Sequence, residues 1–314
     1  MAASVIGFEY KIQKTPLLIH CNQYMSVSDV RTVFILRDLG EVLLIRKNQL
    51  RAIGILIRIV VVSVLGIAIW NFMNYIRDFI AGEEYSRIDH LIIAIMATIL
   101  TVALLEFARR TDKISWKELG QTSIRTRTFS FLLGFFLWII PASIGLVICS
   151  MFGWVEITLN TNVNMLLLSI LILFITVFLM EALPEELIFR GYIYRYLNIL
   201  FPHWMTVILQ TLLFSLFAFF VGAMYSVEQI QFLPGFAFIL GYFRAVSGNV
   251  WTSIGFHVAI MTAFQILSPI HNHFDVSELM TLKFFAFILL PSMIGAIVLG
   301  FLYPNHKWRN KEPI

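Results

Sequence analysis

The chain has 314 residues, of which 59% are hydrophobic and only 13% are charged. Soluble domains have about 25% charged residues, so this composition excludes an ordinary soluble domain and predicts a membrane protein. The net charge of +4 is not accompanied by aromatic residues clustered on a polar surface, so we expect a lipid bilayer and no nucleic acid as partner.

Residues 1–50 precede the first long apolar segment and scatter basic residues through short apolar pieces. This pattern predicts a cytoplasmic N-terminal segment without a cleavable signal peptide, which would need a continuous apolar region. Met25 offers a second plausible start, so whether residues 1–24 belong to the natural product stays open.

Eight apolar segments follow, and each meets or approaches the roughly 20 residues that a transmembrane helix needs. We therefore predict an all-α polytopic membrane protein with about eight transmembrane helices. The segments lie near residues 53–75, 91–108, 129–151, 165–183, 204–224, 232–243, 250–267 and 284–303. The sixth is interrupted by Pro234, Gly235 and Gly241, which predicts a broken or re-entrant segment.

Basic residues collect in alternate loops between these segments. Six follow the second span, whereas residues 225–231 and 268–281 contain none. Because cytoplasmic loops carry an excess of Lys and Arg, this distribution predicts that both termini are cytoplasmic. The predicted parts are an N-terminal segment (1–50), two helices with a basic loop (51–128), a membrane core (129–303) and a basic tail (304–314).

Two adjacent acids and an arginine follow the almost purely hydrophobic residues 164–183, in the order Pro-Glu-Glu-Leu-Ile-Phe-Arg-Gly. On a helix, Glu186 and Arg190 share a face, while Glu185 points about 100° away. We therefore predict that Glu186 pairs with Arg190 and that Glu185 faces a cavity at the cytoplasmic end of the fourth span. An alternative stays open, because Pro184 followed by acids in a first turn is also a common helix start.

A second polar point lies between the sixth and seventh spans, where a turn from Gly241 to Trp251 precedes His257. His257 lies six residues beyond Trp251, and therefore about 9 Å into the membrane from the same side as Glu185. Ionisable residues inside a membrane are costly and are candidates for function, although a histidine can also bond two helices together. We predict that Glu185 and His257 face a shared pocket.

With these residues the chain resembles the CAAX prenyl protease and bacteriocin-processing family of intramembrane metalloproteases (CPBP, or Abi), which includes lysostaphin resistance protein A. The resemblance covers about residues 130–303 and rests on Glu185, Glu186, Arg190 and the turn that leads to His257. It implies that Glu185 is the general base, that Glu186 and Arg190 orient it, and that His257 is the third-motif histidine. It also implies hydrolysis of peptide bonds near the cytoplasmic leaflet of a bacterial plasma membrane.

Two positions depart from the family's pattern. Ala218 stands where the second-motif histidine is expected, and Met261 stands where an asparagine or aspartate is expected. The resemblance then implies at most a divalent metal such as zinc held by His257 and Glu185, against the usual three or four ligands. Gln210 and Gln265 are the nearest polar substitutes, and each is predicted to lie off the expected face.

Two functions therefore stay open. One is a glutamate-dependent CAAX-type endopeptidase whose incomplete site leaves its activity on a peptide or protein substrate reduced or lost. The other is a degenerate family member that acts as a membrane scaffold, a partner of a cell-wall enzyme or a bacteriocin self-immunity protein. A transporter is disfavoured, because the sequence has neither repeat symmetry nor a polar pathway at the membrane midplane.

Overall fold

The computed structural model describes residues 27–80 and 87–312, in a chain that divides into two compact units, Met1–Arg51 and Ala52–Ile314. The described part of the first unit is helical from Val27 onward. Most of the predicted N-terminal segment, including Cys21 and the second start at Met25, lies outside the described residues. The second unit contains the predicted membrane core.

Eight long helices make up most of the described residues and follow the order of the eight predicted spans. Seven are long and apolar enough to cross a membrane, while the eighth, α7, has 17 residues and is about 26 Å long. The protein is an all-α polytopic membrane protein. The helices are α1 (Val27–Ile80), α2 (Arg87–Asp112), α3 (Ile124–Met151), α4 (Val163–Leu200), α5 (His203–Phe220), α6 (Val227–Ser247), α7 (Val250–Ile266) and α8 (Leu279–Leu302).

Short connections between consecutive helices gather at two ends of the helical bundle. One end, which we call the basic end, contains residues 113–123, 201–202 and 248–249 together with the C-terminal tail, residues 303–312. The other, which we call the acidic end, contains residues 152–162, 221–226 and 267–278. At the acidic end two short strands, β1 (Ile157–Leu159) and β2 (Phe274–Val276), pair antiparallel with Thr158 opposite Asp275.

Helix α4 runs without a break through the Glu-Glu motif, so the prediction of a span that ends near residue 183 is wrong. Two π-helical segments, Phe178–Ala182 and Leu187–Ile193, flank the α-helical turn Leu183–Glu186. A π turn joins an amide to the carbonyl five residues earlier. Pro184 has no amide hydrogen and would interrupt regular α-helical bonding. The different hydrogen-bond spacing of the π segment directly before it lets the helix continue.

The residues after the motif are buried, which explains why α4 continues. Every side chain from Glu186 to Asn198 is buried by the surrounding helices. The alternative of a helix start at Pro184 is therefore wrong. The motif lies well inside a helix of 38 residues.

Helix α6 is also continuous, and the predicted break or re-entrant segment does not occur. Gly241 lies where α6 approaches α5, because a Cβ atom there would fall 2.3 Å from Gln210 Nε2. The polar turn before α7 is reduced to Gly248, with a φ angle of 66°, and Asn249. The side-chain oxygen of Asn249 accepts a hydrogen bond from the backbone N–H of Trp251 at 2.9 Å and so caps α7.

Glycines set the contact between α3 and α7, the helix that carries His257. A Cβ atom on Gly255 would lie 2.0 Å from the carbonyl oxygen of Phe131, and one on Gly134 would lie 2.0 Å from that of Thr252. Only glycine permits such an approach, as in other small-residue contacts between membrane helices. This contact fixes the position of α7 two residues before His257.

Candidate functional site

A cavity of about 700 Å³ lies between α1, α4, α5, α6 and α7. Glu185 lines it from α4 and His257 lines it from α7, so the structure brings these two residues into one pocket, as the sequence predicted. Ala218 from α5 and Met261 from α7 line the same cavity. The two positions at which the resemblance led us to expect polar residues therefore line the predicted site.

Glu186 forms a fully buried network with Arg190 and His257. Glu186 Oε1 lies 3.1 Å from Arg190 Nη1 and 3.0 Å from His257 Nδ1. The predicted pairing of Glu186 with Arg190 is thus confirmed. The contact between Glu186 and His257 was not predicted, because the sequence reasoning placed the histidine opposite Glu185.

Arg190 joins this network to two further helices. Its Nη2 donates a hydrogen bond to the carbonyl oxygen of Ala237 in α6 at 3.0 Å, and its guanidinium lies over the ring of Phe214 in α5, 4.9 Å from the centroid. Among the described residues, Glu186 Oε2 and Arg190 Nε are buried without a hydrogen-bond partner. Buried charges are tolerated only when they are paired, so this network constrains how α4, α5, α6 and α7 pack.

The network also determines which nitrogen of His257 is available. A carboxylate that is paired with an arginine can only accept hydrogen bonds, so the Nδ1–H of His257 donates to Glu186 and the neutral ring has a lone pair on Nε2. Phe236 packs edge-to-face against the imidazole with the ring centroids 4.8 Å apart. The hydrogen bond and the ring contact together hold the imidazole in one orientation.

Glu181 is a cavity residue that the sequence reasoning missed. It lines the cavity from α4, and Gln265 lines the same cavity from α7, although Gln265 was predicted to lie off this face. Gln210, the other predicted substitute, instead donates to the carbonyl of Ala237 at 3.0 Å. An isolated acid inside an apolar run, four residues before Glu185, was the signal for Glu181, because burying a carboxyl group in a membrane is costly.

The donor atoms of the site do not fit the predicted zinc ion. In residues 27–80 and 87–312, no group of three or more His, Cys, Asp or Glu side chains is placed to hold a metal ion. Ala218 and Met261 provide no ligand of the expected kind. His257 and Glu185 alone fall short of the three or four protein ligands that zinc sites use.

Comparison with known proteins identifies the segment that contains the site. No curated protein and no solved structure matches the chain. Residues 166–263 match the Rce1-like family of type II CAAX prenyl endopeptidases, a segment narrower than the predicted 130–303. The matched segment begins in α4, ends in α7 and includes the Glu-Glu motif and His257. Residues 166–263 are therefore similar to the Rce1-like type II CAAX prenyl endopeptidase family, which confirms the predicted resemblance to the CAAX prenyl protease and bacteriocin-processing family.

Proposed function

We propose that the protein is an intramembrane endopeptidase of a bacterial plasma membrane, with Glu185 as the general base. One observation supports this proposal above the others. Glu185 lines a cavity of about 700 Å³ together with His257, whose ring is held by the buried pair of Glu186 and Arg190. A carboxylate beside a fixed imidazole is a suitable arrangement for moving protons to and from a reacting peptide bond.

Hydrolysis can be written with these side chains alone. The carboxylate of Glu185 takes a proton from a water molecule while the water oxygen forms a bond to the peptide carbonyl carbon. The carbonyl oxygen then has the negative charge of the tetrahedral intermediate. When the bond between carbon and nitrogen breaks, Glu185 returns its proton to the departing amine, so the carboxylate is regenerated.

His257 would orient the attacking water. The lone pair on Nε2 of its neutral ring would accept a hydrogen bond from that water and direct the water oxygen toward the carbonyl carbon. The Glu186 carboxylate, 3.0 Å from Nδ1, would hold the ring in this tautomer. Glu186 and Arg190 are in this scheme positioning residues, since they act through His257.

Replacing the proposed base tests the proposal. We expect the purified protein in lipid nanodiscs to cleave members of a library of internally quenched peptides. Glu185→Gln should lower kcat by about 10²- to 10⁴-fold, the range for loss of a general base, because the amide cannot accept the proton. Glu156→Gln is the matched control, since Glu156 is an exposed carboxyl in the connection between α3 and α4, and it should retain the wild-type rate.

Equal rates for the wild type and Glu185→Gln would remove Glu185 from the chemistry. A wild-type protein that folds and cleaves no peptide would favour a second candidate, a degenerate family member that binds a membrane partner. One observation favours this candidate: Ala218 and Met261 face the cavity where the family has polar residues. Such a protein would act as a scaffold, a partner of a cell-wall enzyme or a bacteriocin self-immunity protein.

A further inference from the structure

The two ends of the bundle differ in charge. The basic end has six basic residues between Arg109 and Arg127, and three more in the C-terminal tail at Lys307, Arg309 and Lys311. The connections at the acidic end, residues 152–162, 221–226 and 267–278, contain no Lys or Arg and three acids, and the helix ends on that side add three basic residues, Arg77, Arg87 and Lys283. Since Lys and Arg are enriched in cytoplasmic loops, this asymmetry favours a cytoplasmic basic end and a non-cytoplasmic acidic end.

The cavity is lined by residues from the acidic end of the bundle. Asp78 lies near the end of α1, Gly222 follows α5, Tyr225 precedes α6, and Gln265 is close to the end of α7. Tyr225 is 79% exposed, so this part of the cavity is its mouth. His257 lies nine residues before the end of α7, which places it about 14 Å from that end.

At the basic end, packed side chains and the C-terminal tail cover helices α4, α5 and α7. In α7, the side chains of Val250, Ile254 and Phe256 are at most 1% exposed. The C-terminal tail packs across the start of α5 and the end of α4: the backbone N–H of His203 donates to the carbonyl of Asn310 at 3.2 Å, and Arg195 pairs with Glu312 at 3.2 Å. A peptide that approached from this end would meet packed side chains before it reached His257.

We infer that the cavity receives its peptide from the non-cytoplasmic face of the membrane. The inference rests on the proposed function and narrows its substrate to a peptide segment exposed at that face, in place of a prenylated cytoplasmic tail. The cavity walls fit an apolar segment, since Trp70, Phe217 and Phe236 line them. Glu181 and Glu185 add carboxyl groups to the interior, so a basic residue in the segment would be favoured.

Cysteine accessibility tests the route without requiring turnover. In a Cys21→Ser/Cys149→Ala background, Ala218→Cys reports on the cavity interior, Tyr225→Cys on its mouth, and Lys117→Cys on an exposed position at the basic end. Each variant is treated with a small, charged, membrane-impermeant thiol reagent, in intact bacterial cells and in inverted membrane vesicles. We expect Tyr225→Cys and Ala218→Cys to react in intact cells, and Lys117→Cys to react only in inverted vesicles.

Three results would overturn the inference: reaction of Ala218→Cys only in inverted vesicles, reaction from both faces, or no reaction from either face in a folded protein. Met261→Cys is a second interior reporter in case Ala218→Cys does not fold. This outcome is separable from that of the proposed hydrolysis. Labelling of Ala218→Cys from outside with no peptide cleavage would retain the access route and reject the endopeptidase.

Discussion

Glu186 Oε1 has two partners, while the other oxygen of the same carboxylate has none among the described residues. A single oxygen atom therefore connects the arginine of one helix to the imidazole of another. The arrangement resembles the support that metal-free hydrolases give to a catalytic histidine, in which an acid orients the ring and selects its tautomer. Arg190 in turn holds Glu186 in place through their ion pair at 3.1 Å.

Arg190→Met should destabilise the protein by about 3–5 kcal/mol, the usual cost of leaving one partner of a buried ion pair uncompensated. Arg110→Met is the matched control, because Arg110 also pairs with a glutamate four residues away but is 74% exposed, and such surface pairs contribute about 0–1 kcal/mol. Denaturant titration of each variant in detergent measures its free energy of unfolding. Equal stability of the two variants would show that the buried pair is not structural.

At the scale of the helices, the site depends on how α4 and α7 are placed relative to each other. Glu185 and Glu186 are adjacent in one α-helical turn and point about 100° apart, so that Glu185 lines the cavity while Glu186 lies in the core. The glycine contact with α3 holds α7 at the depth where His257 reaches Glu186. Neither helix alone contains the site.

Gly255→Ala should therefore disturb both stability and the site. The new Cβ would lie 2.0 Å from the carbonyl oxygen of Phe131, so α3 and α7 must separate, at a cost of about 1–3 kcal/mol or more for overpacking. Gly235→Ala in α6 adds the same methyl group where nothing lies within 4 Å. It should be neutral or stabilising by about 0.5–1 kcal/mol, because a helix interior prefers alanine to glycine.

Thermal unfolding of both glycine variants, together with cleavage of the peptides used for the wild type, measures the difference. We expect Gly255→Ala to lose activity along with stability, since the displaced α7 carries His257 away from Glu186. If Gly255→Ala were as stable and as active as Gly235→Ala, the close contact between α3 and α7 would not position the site.

At the scale of the whole molecule, hydropathy was sufficient to predict the number and order of the eight long helices in the described residues, because a membrane helix needs a long apolar run. It failed where α4 continues past the motif, since Arg190 and Arg195 look like a boundary in the sequence but are neutralised by Glu186, Glu118 and Glu312 in the structure. Helix geometry was sufficient to pair Glu186 with Arg190. The contact with His257 was not predictable, because it depends on packing between distant helices.

The complete membrane core also provides the test that separates an enzyme of reduced activity from a binding protein. Ala218 and Met261 come from different helices and line the same cavity as Glu185 and His257, so the backbone that would hold a full set of polar residues is present. We therefore expect Ala218→His combined with Met261→Asn to increase the rate of peptide cleavage and to raise the zinc content of the purified protein. Leu216→His is the control, since Leu216 is on α5 but 52% exposed on its outer face.

The outcomes separate the two functions. Activity that appears only in the double variant would identify the protein as a family member that has lost its enzymatic activity. Full activity of the wild type with no gain on substitution would show that Glu185 and His257 suffice. A double variant that gains neither cleavage nor zinc would contradict the expectation that two side chains are all that the cavity lacks.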